Sequence, residues 1–148
     1  MPRHSHGATR TEPRTPNQRA VLACLAGERR PLTAYQLLDR LRGDGIAHPP
    51  TVYRALNDLM RLGLVHRVES LNGFVACDHG PGEHRAGFAI CRACSAVEEV
   101  ELAAPKGPAV ARLAPAGFAV ERISLEFAGL CAACAAKGEA APAHHPRP

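Results

Sequence analysis

The apolar positions of this chain change period part-way along it. In the first part they recur three and four residues apart, the spacing of one face of a helix. Thr15-Pro16-Asn17-Gln18 is a helix-start signal, with Thr as N-cap, Pro at the first helical position and Gln three residues after the cap. Val21, Leu22 and Leu25 then share a face, and Gly27 follows. Thr33 starts a second helix with Ala34, Leu37, Leu38 and Leu41 on its apolar side and Gly43 beyond its end. His48-Pro49-Pro50 breaks the chain, and a third helix is predicted from Thr51 to Leu62. Its stripe is Val52, Ala55, Leu56, Leu59 and Met60, and Gly63 is its stop. The pattern then becomes alternating. Leu64–Glu69 and Gly73–Cys77 read as two strands about a Ser70-Leu71-Asn72 turn. Further strands are predicted at Phe88–Cys91, Val97–Leu102 and Phe118–Phe127, with an Ala-rich helix over 106–116 closed by Gly117.

Three short helices followed by a hairpin is the order of a winged helix-turn-helix, although a generic small α+β domain shares it. The outward face of the third helix favours the former, because it carries Tyr53, Arg54, Asn57, Asp58 and Arg61. The first residues of a recognition helix reach base edges in the major groove. Arg54 suits a bidentate pair with guanine, and Tyr53 a phosphate or a thymine methyl. Thr51 and the first-turn amides suit a phosphate. Arg61 and Arg67 would touch backbone only. Each of these charges also fits a plain solvated face. The fold class expected is α+β: an N-terminal winged helix-turn-helix, then a small α/β domain. The boundaries are 15–77 and 86–136, joined by a Gly/Pro-rich hinge at 78–85, with a disordered arm at 1–14 and a disordered tail at 137–148.

Charge supports that division. Residues 1–70 hold eleven Lys/Arg against six Asp/Glu, whereas residues 71–148 hold seven against eight, within a net of +4. A basic first half suits nucleic acid, and equally a mildly basic surface. Aromatics are only 4% of the chain, so the core is light and a staple is expected. No apolar run approaches the roughly 18 residues of a membrane span. The first residues lack the apolar centre of a secretory signal, so a cytoplasmic location is expected.

In such a location six cysteines suit metal ligation better than disulfides. Cys91-x-x-Cys94 and Cys131-x-x-Cys134 are separated by 36 residues. Two such pairs in one small domain describe a closed tetrahedral zinc site, a structural four-cysteine site in the second domain. The other readings are redox dithiols and buried free thiols. Cys24 is expected to be an inert core thiol. A second, looser set surrounds the hinge: His66, Cys77, Asp78, His79, Glu83, His84, Glu98 and Glu99. These are either solvated polar residues or a mixed site bridging the halves. His144 and His145 of the tail read as solvated. No H-E-x-x-H is present, which argues against a zinc hydrolase. A zinc-ribbon scaffold remains a rival reading, since it needs the thiols but not the third helix.

The run PPTVYRALNDLMRLGLVHRVES with the paired C-x-x-C resembles the ferric uptake regulator family. PPTVYRAL, LVHRVES and GLCAAC are most similar to its zinc uptake regulator branch. The likeness runs from about Thr15 to Cys134. It implies a non-enzymatic, zinc-responsive repressor that binds palindromic double-stranded operator DNA as a zinc-loaded homodimer and controls zinc uptake genes. The second domain would be the dimerisation domain. The resemblance assigns Cys91, Cys94, Cys131 and Cys134 to a structural zinc and His66, Cys77, His84 and Glu99 to a regulatory zinc, so about two Zn2+ per chain. It adds Tyr35, with Arg54, to the DNA contacts. The family's dense His/Asp run is here DHGPGEH, and Ile123 stands where many members carry His, which argues against a third metal site. An iron-, manganese- or peroxide-responsive regulator of the same family is the alternative.

Overall fold

Helix α1 (Pro16–Ala26) begins on a complete capping box: the Thr15 side chain accepts from the Gln18 amide, and the Gln18 side chain reaches back to the cap. The same device starts α2 (Ala34–Leu41) at Thr33 and Gln36. Each box satisfies two otherwise orphaned amides, which fixes where the helix starts. The computed structural model describes residues 12–79, 86–102 and 107–139. The arm before Glu12, the hinge residues Glu83 and His84, and the tail histidines His144 and His145 lie outside them.

Helix α3 spans Pro49–Arg61, two residues earlier than the pattern suggested. The two prolines begin the helix rather than precede it. Pro has no N–H to lose in the first turn, and its fixed φ is already helical. His48 is the N-cap and supplies no side-chain bond. Tyr53 and Arg54 therefore sit in the second turn, not the first. Pro49 and Pro50 have no amide to offer, and the Thr51 amide donates to the His48 carbonyl at 3.1 Å. The anticipated phosphate cradle of first-turn amides is thus absent from Pro49, Pro50 and Thr51.

The three helices enclose one core. Val21, Leu37, Val52, Leu56 and Leu59 are all 0% exposed. Every apolar position assigned to the stripes of α2 and α3 is buried or half-buried here. Gln18 is the buried polar exception, and its Nε2 donates to Asp58 Oδ2 at 3.0 Å. One side chain thereby caps α1 and ties it to α3.

Strands β1 (Val65–Val68) and β2 (Gly73–Ala76) form the antiparallel wing, with Val65 opposite Ala76 and Val68 opposite Gly73. Its turn uses Asn72 at φ 47°. Asn tolerates this left-handed conformation better than most residues. Behind the wing, Leu32 exchanges backbone hydrogen bonds with Phe74 at 2.8 and 3.1 Å.

The second half is a three-stranded sheet in the order β4-β3-β5, with β3 (Ala86–Cys91) central. β4 (Val97–Glu101) is antiparallel to it and β5 (Glu126–Gly129) parallel. Helix α4 (Pro108–Leu113) lies between β4 and β5, and antiparallel β4 returns the chain to the end of the sheet from which β5 runs parallel to β3. The strand predicted over Phe118–Phe127 is mostly absent: only Glu126–Gly129 joins the ladder. Upstream of Glu126 the chain runs toward the start of β3 and soon passes beyond the described ladder. Phe118, Ile123 and Phe127 are 61%, 44% and 49% exposed. A last short helix, α5 (Ala132–Ala136), has no counterpart in the sequence pattern.

The halves meet through apolar and polar contacts. Val68 and Val75 of the wing pack with Phe88, Ile90 and Val97 of the sheet. The Val97 amide donates to the Arg29 carbonyl, just beyond α1, at 3.3 Å. At the wing turn, the Ser70 amide donates to both oxygens of Glu126 at 3.2 and 3.3 Å, and Arg122 pairs with Glu69 at 3.2 Å. The α+β fold is therefore the expected one: winged helix-turn-helix first, small α/β unit second.

Candidate metal centres and nucleic-acid interface

The four cysteines of the paired motif converge. Cys91 ends β3 and Cys94 lies on the turn toward β4. Cys131 is the N-cap of α5, and Cys134 lies inside that helix. The parallel pairing of β3 with β5 brings the two motifs together, because Cys91 sits opposite Gly129. The four sulfurs lie within 4.8 Å of one another, and Cys94 and Cys131 are 3.9 Å apart. A tetrahedral zinc with arms of about 2.3 Å has sulfur–sulfur edges of about 3.8 Å. All four are free thiols. Amide N–H groups of Cys131 and Cys94, with a smaller contribution from Ala93, lower the Cys91 thiol to about 6, against the opposing effect of burial. Cys134 is pushed the other way, first by the Glu139 side chain and then by the Cys131 thiol. This donor set fits a closed structural zinc site.

The second cluster lies across the joint. His66 comes from β1, Cys77 follows β2 and Glu99 comes from β4. One donor atom from each lies within 4.8 Å of the other two. Glu99 Oε1 is the focus, at 3.4 Å from His66 Nε2 and 3.7 Å from Cys77 Sγ. The Asp78 amide donates to Oε2 at 3.0 Å, and His79 Nδ1 is 3.2 Å from Oε1. The Glu99 side chain is only 3% exposed. Burial alone would raise its pKa, but the Asp78 amide and the nearby His66 and His79 outweigh it and the net shift is downward. A soft thiolate, an imidazole and a carboxylate at this distance suit zinc better than magnesium or manganese. His84, expected as the fourth ligand, lies outside the described residues. Of the other residues in the hinge set, Asp78 contributes through its backbone, and Glu98 is exposed.

The residues expected to face DNA lie on the first half. Tyr35, on α2, is 67% exposed and Tyr53, on α3, is 44% exposed. Arg54 is exposed and Thr51 half-buried. Arg61 is paired with Asp58 on its own helix. Arg67 of the wing donates to Asn72 at 2.9 Å and pairs with Glu69 at 3.3 Å. The contacts of Arg122 and Glu126 with the wing had no signal in the sequence, since a pairing 56 residues apart leaves no periodic mark.

A sequence model of the ferric uptake regulator family matches residues 13–128. The chain belongs to this family. It is 39% identical over 122 residues to the zinc uptake regulation protein of Escherichia coli strain K12, covering 81% of this chain and 71% of that protein. It is also similar to a solved zinc uptake regulator complexed with zinc and DNA, at a TM-score of 0.77 and 38% identity over 85% of each chain. A holo structure named XcZur gives a TM-score of 0.74 at 43% identity, over 82% of this chain and 86% of that one. These matches place the chain in the zinc uptake regulator branch. They are regulators by name, not enzymes. Among the described residues no helix is long and apolar enough to cross a membrane.

Proposed function

We propose that this chain is a cytoplasmic, zinc-responsive transcriptional repressor that binds palindromic operator DNA as a zinc-loaded homodimer and controls zinc uptake genes. The observation that carries the reading is the convergence of His66, Cys77 and Glu99 from the wing and the sheet on one point of the joint. On this reading residues 15–77 are the DNA-binding domain, 78–85 the hinge and 86–136 the dimerisation domain. His84 completes the regulatory ligand set, while Cys91, Cys94, Cys131 and Cys134 hold the structural ion. Each chain then carries about two zinc ions.

A bound regulatory zinc supplies a coordinate cross-link between β1, the end of β2 and β4. Glu99 holds its side of the joint rigidly, because β4 is paired along its length with β3. His66 and Cys77 transmit that position to the wing, and Val52, Leu56 and Leu59 of α3 share a core with Val65 of the wing. Tyr53 and Arg54 are thereby fixed relative to the sheet, and Tyr35 with them. Two chains related by a twofold axis present two such helices at the spacing of successive major grooves. If the joint is slack, the correctly spaced arrangement is a small fraction of the population, and apparent affinity falls by that fraction. The exposed apolar side chains of Phe118, Ile123 and Phe127 are available to the twofold contact. The similarity to a regulator solved with zinc and DNA supports this reading. The thiolate of Cys77 favours zinc over iron or manganese as the signal.

The test is zinc content and operator binding of the native protein, with and without a mild chelator. Two zincs per chain are expected, one of them labile, and its removal should weaken operator binding at least tenfold in a gel-shift titration. The His66→Ala variant should remain a folded dimer and lose the zinc response. Operator binding that is equally tight after the labile ion is removed would overturn the proposal.

A further inference from the structure

The structure assigns His79 as a positioning residue for the regulatory metal: it pins the Glu99 carboxylate from outside the ligand set and so presets the site's affinity for zinc. This rests on the regulatory-site reading above. His79 Nδ1 lies 3.2 Å from Glu99 Oε1, and the Asp78 amide holds Oε2 at 3.0 Å. The carboxylate is therefore gripped at both oxygens. The Glu99 side chain is 3% exposed and that of His79 is 36% exposed. The acid thus lies inside the joint and the imidazole at its rim.

Orienting and ligating are separable here. A carboxylate oxygen has more than one lone pair, so Oε1 accepts an N–H on one side and still faces a metal on the other. His66 and Cys77 approach that same oxygen at 3.4 and 3.7 Å. The group of mutually close donor atoms contains His66, Cys77 and Glu99 and does not contain His79. Asp78 and His79 follow Cys77 directly in the chain. The segment that delivers the thiolate therefore also carries both contacts that aim the carboxylate. Partners of this kind fix ligand orientation before the ion arrives, and their loss typically weakens metal binding about 10–100-fold.

The experiment uses full-length protein that retains its tightly held zinc and has its labile ion removed. Zinc affinity is measured by competition with a chromophoric chelator, and the ligand set by absorption after Co2+ is added in place of the labile ion. For His79→Ala the expected result is a zinc Kd weakened about 10–100-fold, with thiolate charge-transfer and d–d bands at wild-type positions. His79→Gln keeps an N–H donor and should recover most of the affinity. An unchanged Kd in His79→Ala overturns the proposal. So does a shift of the Co2+ bands, which would make His79 a ligand. Cys77→Ser is the control for the underlying reading, and it should abolish the charge-transfer band. If that variant keeps the band, or if the wild type takes up no second ion, the regulatory site itself is misassigned and the proposal falls with it.

Discussion

Gly73 has no room for a side chain. A Cβ there would lie 2.6 Å from the Pro31 Cβ, where the wing crosses the segment before α2. Gly73→Ala must push the Leu32–Phe74 bridge apart, and overpacking of this kind costs about 1–3 kcal/mol. Urea unfolding of the two proteins should show that loss. The sequence marked this glycine as a strand residue, but the crowding depends on Pro31, which no local pattern connects to it. Glu99 gives a second residue-scale expectation. Its folded pKa lies below the ordinary value of 4.5. The stability it contributes is therefore complete above that ordinary value and lost as pH falls through the lower, folded one. In metal-free protein, Glu99→Gln should remove this part of the acid limb from a plot of urea midpoint against pH. An acid limb identical in the two proteins would show that Glu99 gains nothing from its surroundings.

Among the elements, the helices were the most legible and the last strand the least. A helix carries its own signals: the boxes at Thr15–Gln18 and Thr33–Gln36 mark two starts, and the apolar stripes mark the buried faces. The error at α3 came from reading Pro49 and Pro50 as breakers when they occupy the first helical turn. A strand depends on its neighbour, and the alternation of Ile123, Leu125 and Phe127 could not reveal that the ladder begins only at Glu126. With Arg54 on the second turn of α3, Arg54→Ala should lose about 1–3 kcal/mol of discrimination at one base pair. Arg67→Ala should weaken binding evenly across sequences and lower the salt slope by about one. Binding titrations on operator and mismatched duplexes at several salt concentrations separate the two. On the proposed reading the elements around Cys91 and Cys134 depend instead on a bound ion. Cys91→Ser should release the tightly held zinc and melt the sheet half while α1 to α3 keep their circular dichroism signal, since metal-binding energy there is folding energy.

At the scale of the molecule, the paired C-x-x-C was legible because each motif announces itself locally. The mixed cluster was not, since His66, Cys77 and Glu99 come together only when the wing docks on the sheet. From spacing alone they were indistinguishable from Glu98, which is exposed. The exposed Phe118, Ile123 and Phe127 belong to the same scale. Phe127→Asp should shift the protein toward monomer in light scattering and weaken operator binding even with zinc saturating. The wing, finally, is secured at both extremities. At its base stand His66 and Cys77, and at its tip Ser70 and Glu69 grip Glu126 and Arg122 without any metal. Between the two ends lie Val68 and Val75, packed on Phe88, Ile90 and Val97. A zinc-starved chain should therefore loosen at the base while the apolar middle and the tip still hold it to the sheet, and salt, which weakens the Glu69–Arg122 pair, should decide how far that loosening spreads.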